Sequence, residues 1–180
     1  MCCGVSKDTA KLRPGKGRPN KIMNAQTAIE KRLIHRFGET LIGPADDSFK
    51  GFHVRLDLPK ERIPELAQLL HEAGCFLEYV TAVDRNDHLE LVYVFGTYGD
   101  PARIRAGVRV PKGETAPSIS RVFPGADWHE REVFDFFGQV FSGHPDLKRI
   151  LLPETADYHP LLKDFRAPAR LNGMQGPERP

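Results

Sequence analysis

The chain has 180 residues, 40% hydrophobic and 28% charged, proportions that fit one globular domain with a proper core. No run approaches the ~18 apolar residues that span a bilayer, so membrane association is expected only through partners. The net charge is +2, but residues 1–22 hold six basic side chains against Asp8 alone, leaving the rest at −3; that acidic body argues against a nucleic-acid groove.

Residues 1–22 are rich in Gly, Pro, Lys and Arg with almost no large apolar side chains, and read as a disordered basic arm. The opening Met-Cys-Cys-Gly-Val lacks the apolar core of a signal peptide, which predicts a cytosolic chain, with Met23 as an alternative start. Cys2 and Cys3 are adjacent, a poor disulfide pair, and with Cys75 they make no C-x-x-C spacing for zinc or an iron–sulfur cluster. Lipid or metal at Cys2-Cys3 is the sharper reading, and reduced thiols the preferred one.

Residues 23–126 read as the core. Asn24 is placed as N-cap of a helix over 25–37, with Ile29, Leu33 and Ile34 at helical spacing and Gly38 as the stop. Strands are predicted at 40–42 and 52–58, around the turn-rich Gly43-Pro-Ala-Asp-Asp-Ser. In the second, Phe52, Val54, Leu56 and Leu58 alternate with polar residues, a sheet wet on one side. An amphipathic helix follows over 60–73, capped by Gly74. Strands at 76–83, 89–98 and 102–110 come next, with turns at 85–88 and 99–101. This order predicts an α+β two-layer sandwich with an α-β(2)-α-β(3) core, one mixed sheet and both helices on a single face. A short helix is predicted over 118–123.

The densest chemistry lies in 127–165, which carries the single Trp, five of the eleven Phe and three of the seven His. Asp127 is placed as a helix cap to which Glu130 reaches back. Val133, Phe134, Phe136, Phe137, Val140 and Phe141 share one side. Arg131 and Asp135, four apart, are expected as an exposed pair on the other, within a polar-aromatic strip that includes Trp128 and Glu132. Gly138 is the left-handed exit. An echo follows, His144-Pro145-Asp146-Leu147-Lys148-Arg149 and His159-Pro160-Leu161-Leu162-Lys163-Asp164. A histidine before proline favours extended backbone and usually satisfies a carbonyl or carboxylate. His129, His144 and His159 recur every fifteen residues, but no HxxxH or HxH places two on one element, so metal binding is disfavoured. Glu130 and Glu132 point apart on a helix, and no serine or cysteine nucleophile has a base beside it. Catalytic, cofactor-binding and metal-binding residues are therefore all read as none. The chain ends in an extended Pro- and Gly-rich tail, 166–180.

Glu130-Arg131-Glu132-x-x-Asp135-Phe136-Phe137-Gly138, then Gly143-His144-Pro145-Asp146-Leu147-Lys148-Arg149-Ile150-Leu151, closely resembles the signature of one NADH–quinone oxidoreductase component, the thirty-kilodalton or C-type subunit of respiratory complex I. His159 to Phe165 is similar to the segment that follows in that family. Lys148 stands where the family usually shows arginine, keeping the charge without the bidentate fork. The resemblance implies a non-catalytic subunit that binds no flavin, cluster or quinone. Such a subunit braces the hydrophilic arm beside the D-type partner, which forms the quinone site, and the iron–sulfur subunits. The assembly is expected to use NADH, FMN, iron–sulfur clusters and quinone, to translocate protons, and to lie on the cytoplasmic face of a bacterial membrane. The expected signature and partner-contact residues are Trp128, Glu130, Arg131, Glu132, Asp135, Gly138, His144, Pro145, Lys148, Arg149, His159, Pro160, Lys163, Asp164 and Phe165. The rivals are an equivalent subunit of a membrane-bound hydrogenase, formate hydrogenlyase or other-donor dehydrogenase and, more remotely, a metal-dependent hydrolase.

Overall fold

A computed structural model describes residues 22–38, 42–44, 51–98, 102–166, 170–171 and 174–175. Helix α1 (Ile22–Phe37) begins before the predicted cap, so Asn24 lies inside it. Its C-terminus ends as expected, with Gly38 at φ 85° donating its N–H to the Ile34 carbonyl at 2.8 Å. Strand β1 (Ile42–Pro44) takes in part of the predicted turn. In β2 (Val54–Leu58) Val54, Leu56 and Leu58 are buried and Arg55 and Asp57 exposed, the alternation that the sequence predicts. A 3-10 turn, Lys60–Arg62, tightens the entry to α2 (Ile63–Glu72), where Pro64 accepts an early helical position because no intrahelical N–H is needed there.

The long strands are β3 (Cys75–Asp84), β4 (His88–Thr97) and β5 (Arg103–Pro111). The β3–β4 turn closes with Arg85 N–H donating to the His88 carbonyl at 2.9 Å, and Asn86 takes the left-handed position at φ 76°. The turn expected at 99–101 lies outside the described residues. Five strands form one sheet in the order β1-β2-β5-β4-β3, with β2 parallel to β5 and the other neighbours antiparallel. The mixed α+β architecture expected from the sequence is the observed one.

One face of the sheet carries the core. Val54, Leu56, Leu91, Tyr93, Phe95, Ile104, Ala106 and Val108 point inward with Ile29, Leu33 and Phe37 of α1 and Ile63, Leu66, Ala67 and Leu70 of α2 in a single cluster. Both helices thus cover the same face. The opposite face holds ion pairs, Arg103 on Glu78 at 2.5 Å and Arg105 on Glu90.

Residues 118–123 do not form the predicted helix. They make an irregular turn in which Val122 and Phe123 both donate to the Ile119 carbonyl at 2.9 Å. The reason is competition: Ser118 N–H donates to Ser142 O at 2.9 Å, beside the short parallel pair β6 (Ala116–Pro117) and β7 (Phe141–Ser142). Between them lies α3 (Ala126–Phe137), packed into the same core through Ala126 and Val133. At the C-terminal end β8 (Arg170–Leu171) and β9 (Met174–Gln175) pair antiparallel, where an extended tail is predicted. The arm expected over 1–22 otherwise lies outside the described residues.

Candidate functional site around helix α3

The start of α3 differs from expectation. Its N-cap is Gly125, with no side chain capping it, and Asp127 lies within the first turn. Glu130 turns away from the helix start into the interior, where it is fully buried. Its carboxylate accepts Ser118 Oγ–H at 2.6 Å and Ile119 N–H at 2.8 Å, fastening the irregular 118–123 turn to the helix. Burial pushes the Glu130 carboxyl up. The hydrogen bonds from Ser118 and Ile119 and the nearby His144 pull the other way, and Asp127 adds to the rise. The predicted capping box is therefore replaced by a buried tie, because the turn's N–H groups have no strand partner to satisfy them.

The His144 side chain is completely enclosed beside this tie. Its Nδ1 accepts Asp146 N–H at 3.1 Å, so in the neutral ring Nε2 carries the proton. That Nε2 donates to the Asp127 carbonyl at 3.3 Å. It also lies 2.9 Å from Asp127 Oδ1, off the hydrogen-bond direction, and 3.9 Å from Glu130 Oε2.

Asp135 is also fully buried, and it does not pair with Arg131. Its Oδ2 accepts three consecutive backbone N–H groups, Ile150 at 3.1 Å, Leu151 at 2.8 Å and Leu152 at 2.9 Å. Its Oδ1 accepts Arg149 at 2.7 Å. Burial alone would raise this carboxyl. The Leu152 and Leu151 N–H groups, the Arg149 guanidinium and the Ile150 N–H outweigh it and hold the group below the usual carboxylate range. The expected exposed strip is thus half interior: four donors that no regular element satisfies converge on one charge.

Arg131 is 7% exposed. Its guanidinium lies 5.0 Å from the Trp128 ring and its Nε donates to the Lys148 carbonyl at 3.3 Å. Trp128 itself is 62% exposed, and Glu132 is exposed on the same helix. The Lys148 amine pairs with Asp146 at 2.7 Å in solvent. Gly138 is left-handed at φ 72°, and a Cβ there would meet the His159 ring at 2.8 Å. His159 Nδ1 donates to the Asp135 carbonyl at 2.9 Å. Pro145 is exposed and Pro160 half-buried. Lys163 uses its backbone N–H, not its amine, on Asp84 at 2.9 Å, Asp164 lies 3.9 Å from Lys112, and Phe165 stacks on Tyr158. Among the described residues no three His, Cys, Asp or Glu side chains converge as a set for a metal ion. A groove of about 780 Å³ on the opposite sheet face is lined by charges that largely pair with one another, Arg55 with Asp57 and Arg85 with Glu90.

Residues 56–170 match the family described as the 30-kDa subunit of respiratory-chain NADH dehydrogenase. The C-type subunit of NADH-quinone oxidoreductase from Parvibaculum lavamentivorans is 36% identical over 145 residues, 73% of this chain and 72% of that one. Its counterpart of the same name from Roseiflexus castenholzii is 39% identical over 74% of this chain and 79% of its own. This chain belongs to the 30-kDa subunit family of respiratory-chain NADH dehydrogenase. The family match runs from β2 to β8 and includes every residue of the α3 site. A chain in the structure of the membrane-bound sulfane sulfur reductase, an archaeal respiratory membrane complex, shares this family member's fold. The TM-score is 0.66 at 21% identity, over 78% of this chain and 85% of that one. No helix among the described residues is long and apolar enough to cross a membrane.

Two residues that hold the site of this family member escape a sequence reading. Asp84, 4% exposed, accepts Lys163 N–H, Asn86 N–H at 2.8 Å and Lys112 Nζ at 3.0 Å. Burial works against its charge, but these donors prevail and hold its carboxyl low. The Asn86 bond is a local turn signal visible in the sequence. The Lys163 bond, 79 residues away, is not. Ser118 likewise gives no local sign of its role under Glu130.

Proposed function

We propose that this chain is an accessory, non-catalytic subunit of the hydrophilic arm of a proton-translocating NADH–quinone oxidoreductase. In this reading it packs beside the quinone-site subunit and the iron–sulfur subunits. NADH, FMN, clusters and quinone are handled by those partners, and the chain reaches the cytoplasmic face of the membrane only through them. The observation that carries the reading is the family match over residues 56–170, joined by relatives that are themselves subunits of NADH-quinone oxidoreductase.

The geometry around α3 supports a bracing role. Three groups with acid–base character are engaged in holding the chain: Glu130 under the 118–123 turn, Asp135 under residues 149–152, and the ring of His159 on a carbonyl. Rigidly supported Trp128, with Arg131 beneath it and Glu132 exposed on the same helix, is the form of a partner contact, since aromatic anchors on a fixed scaffold bind with little loss of side-chain entropy. Pro145, Lys148 and Pro160 join the same assignment through their place in the motif.

A tagged copy expressed in its own cells is expected to retrieve membrane protein that oxidises NADH with quinone. The purified chain alone is expected to show no turnover. Turnover by the free chain would overturn the accessory role. Retrieval of a complex with hydrogenase, formate hydrogenlyase or another donor activity would move the chain to that related assembly.

A further inference from the structure

We propose that residues 145–166 form a strap, fastened to the α+β body by two buried carboxylates, Asp135 and Asp84, which opens as one unit while the body stays folded.

The burial pattern is the first observation. None of residues 145–166 is fully buried, whereas the His144 side chain, immediately before them, is completely enclosed and marks where the strap leaves the body. Among the described residues Leu147 alone of the strap packs against the core cluster, and only partly buried, so the segment gains little from the hydrophobic effect. The strap also contributes no strand to the five-stranded sheet. Among the described residues one backbone hydrogen bond joins strap to body, Leu161 N–H to Phe136 O at 3.2 Å.

Most side-chain hydrogen bonds between strap and body converge, and the Lys112–Asp164 approach at 3.9 Å and the Phe134–His159 ring contact add to them. Asp135 takes Arg149 and the N–H groups of Ile150, Leu151 and Leu152 on its carboxylate, and His159 on its carbonyl. Asp84 takes Lys163 N–H at the far end. Arg131 adds a bond to the Lys148 carbonyl at 3.3 Å. Within the strap Ala156, Leu162 and Phe165 donate to Pro153, His159 and Leu162, and Tyr158 stacks on Phe165, so the segment has internal cohesion of its own. Charged acceptors make bonds roughly twice as strong as neutral ones. Because three adjacent amides share one charge, its loss frees them together. Segments with few buried contacts and a cohesive interior are those that open sub-globally. Leu151 and Leu161, 60% and 53% exposed, travel with the strap, whereas Trp128 stays on the body.

Amide hydrogen exchange on the full chain at neutral pH tests this, comparing the unsubstituted protein with Asp135→Asn and with Asp84→Asn. Asparagine keeps the shape and removes the charge. In Asp135→Asn, protection at the bonded amides of 150–152, 156, 161–163 and 165 is expected to fall together by about tenfold or more, with β4 and β5 unchanged. Asp84→Asn is expected to loosen the same set. Three results overturn the proposal: no change in the strap, equal loss in β4 and β5, or loosening confined to 150–152 while 161–165 stay protected. If a variant does not fold, exchange of the unsubstituted chain in sub-denaturing guanidinium decides. The strap amides should then merge into one opening below that of β4 and β5, and a single global opening overturns the proposal.

Discussion

Gly138→Ala probes the junction between α3 and the strap most directly. The residue has φ 72° and ψ 12°, a left-handed conformation that costs an L side chain about 1–2 kcal/mol. A methyl group there would also lie 2.8 Å from Cδ2 and Nε2 of His159 and 3.3 Å from Cε1. That ring is not free to retreat: Nδ1 is bonded to the Asp135 carbonyl at 2.9 Å, and Phe134 lies edge-on at 6.3 Å between centroids. Displacing it forfeits a hydrogen bond with a net contribution of about 0.5–1.5 kcal/mol. The expected loss is therefore about 2–3 kcal/mol in guanidinium unfolding of the free chain. The steric share can be isolated with His159→Ala. In that background Gly138→Ala should cost only the backbone share, so the two substitutions should couple by about 1 kcal/mol in a double-mutant cycle. Equal cost in both backgrounds would refute the contact between Gly138 and His159 as the source of the constraint.

Three further outcomes follow from the same geometry. Glu130→Ala leaves the Ile119 N–H and the Ser118 hydroxyl without their partner and should cost about 1–3 kcal/mol, whereas Glu130→Gln can still bond both and should cost less by thermal unfolding. Because burial raises the Glu130 carboxyl in the folded chain, the folded state holds this proton more tightly than the unfolded one. Its contribution is full below the unfolded value of about 4.3 and is lost as pH rises through the raised folded value. Stability measured against pH should therefore decline less steeply over that window in Glu130→Gln, and an unchanged slope would show that Glu130 is not its source. Arg131→Ala should destabilise the free chain measurably, because the guanidinium is buried against Lys148 O and Trp128. Trp128→Ala loses only the ring over Arg131 and should cost about 0.5–1 kcal/mol in unfolding, less than Arg131→Ala, while lowering the yield of assembled complex; equal effects of both on unfolding would refute the division between support and contact.

The sequence by itself determined the layers. Alternation in 54–58, helical spacing in Ile29 and Leu33, and the glycines after α1 and α2 depend on neighbours within one turn or one strand, so the α+β order and most boundaries were legible there. The motif in 130–151 likewise pointed to the family. What only tertiary structure decided is the direction in which the charged residues of α3 face. Helical spacing pairs Arg131 with Asp135, but each finds partners in the loop 14–17 residues ahead. Asp84 finds one 79 residues away. Ser118 looks like a helix start by composition and becomes part of an irregular turn because Glu130 and the β6–β7 pair claim its hydroxyl and its N–H. Periodicity reports which residues share a face. Whether a charge on that face meets water or a converging set of backbone N–H groups depends on chain that arrives later, and a buried carboxylate is tolerated only where those donors come together.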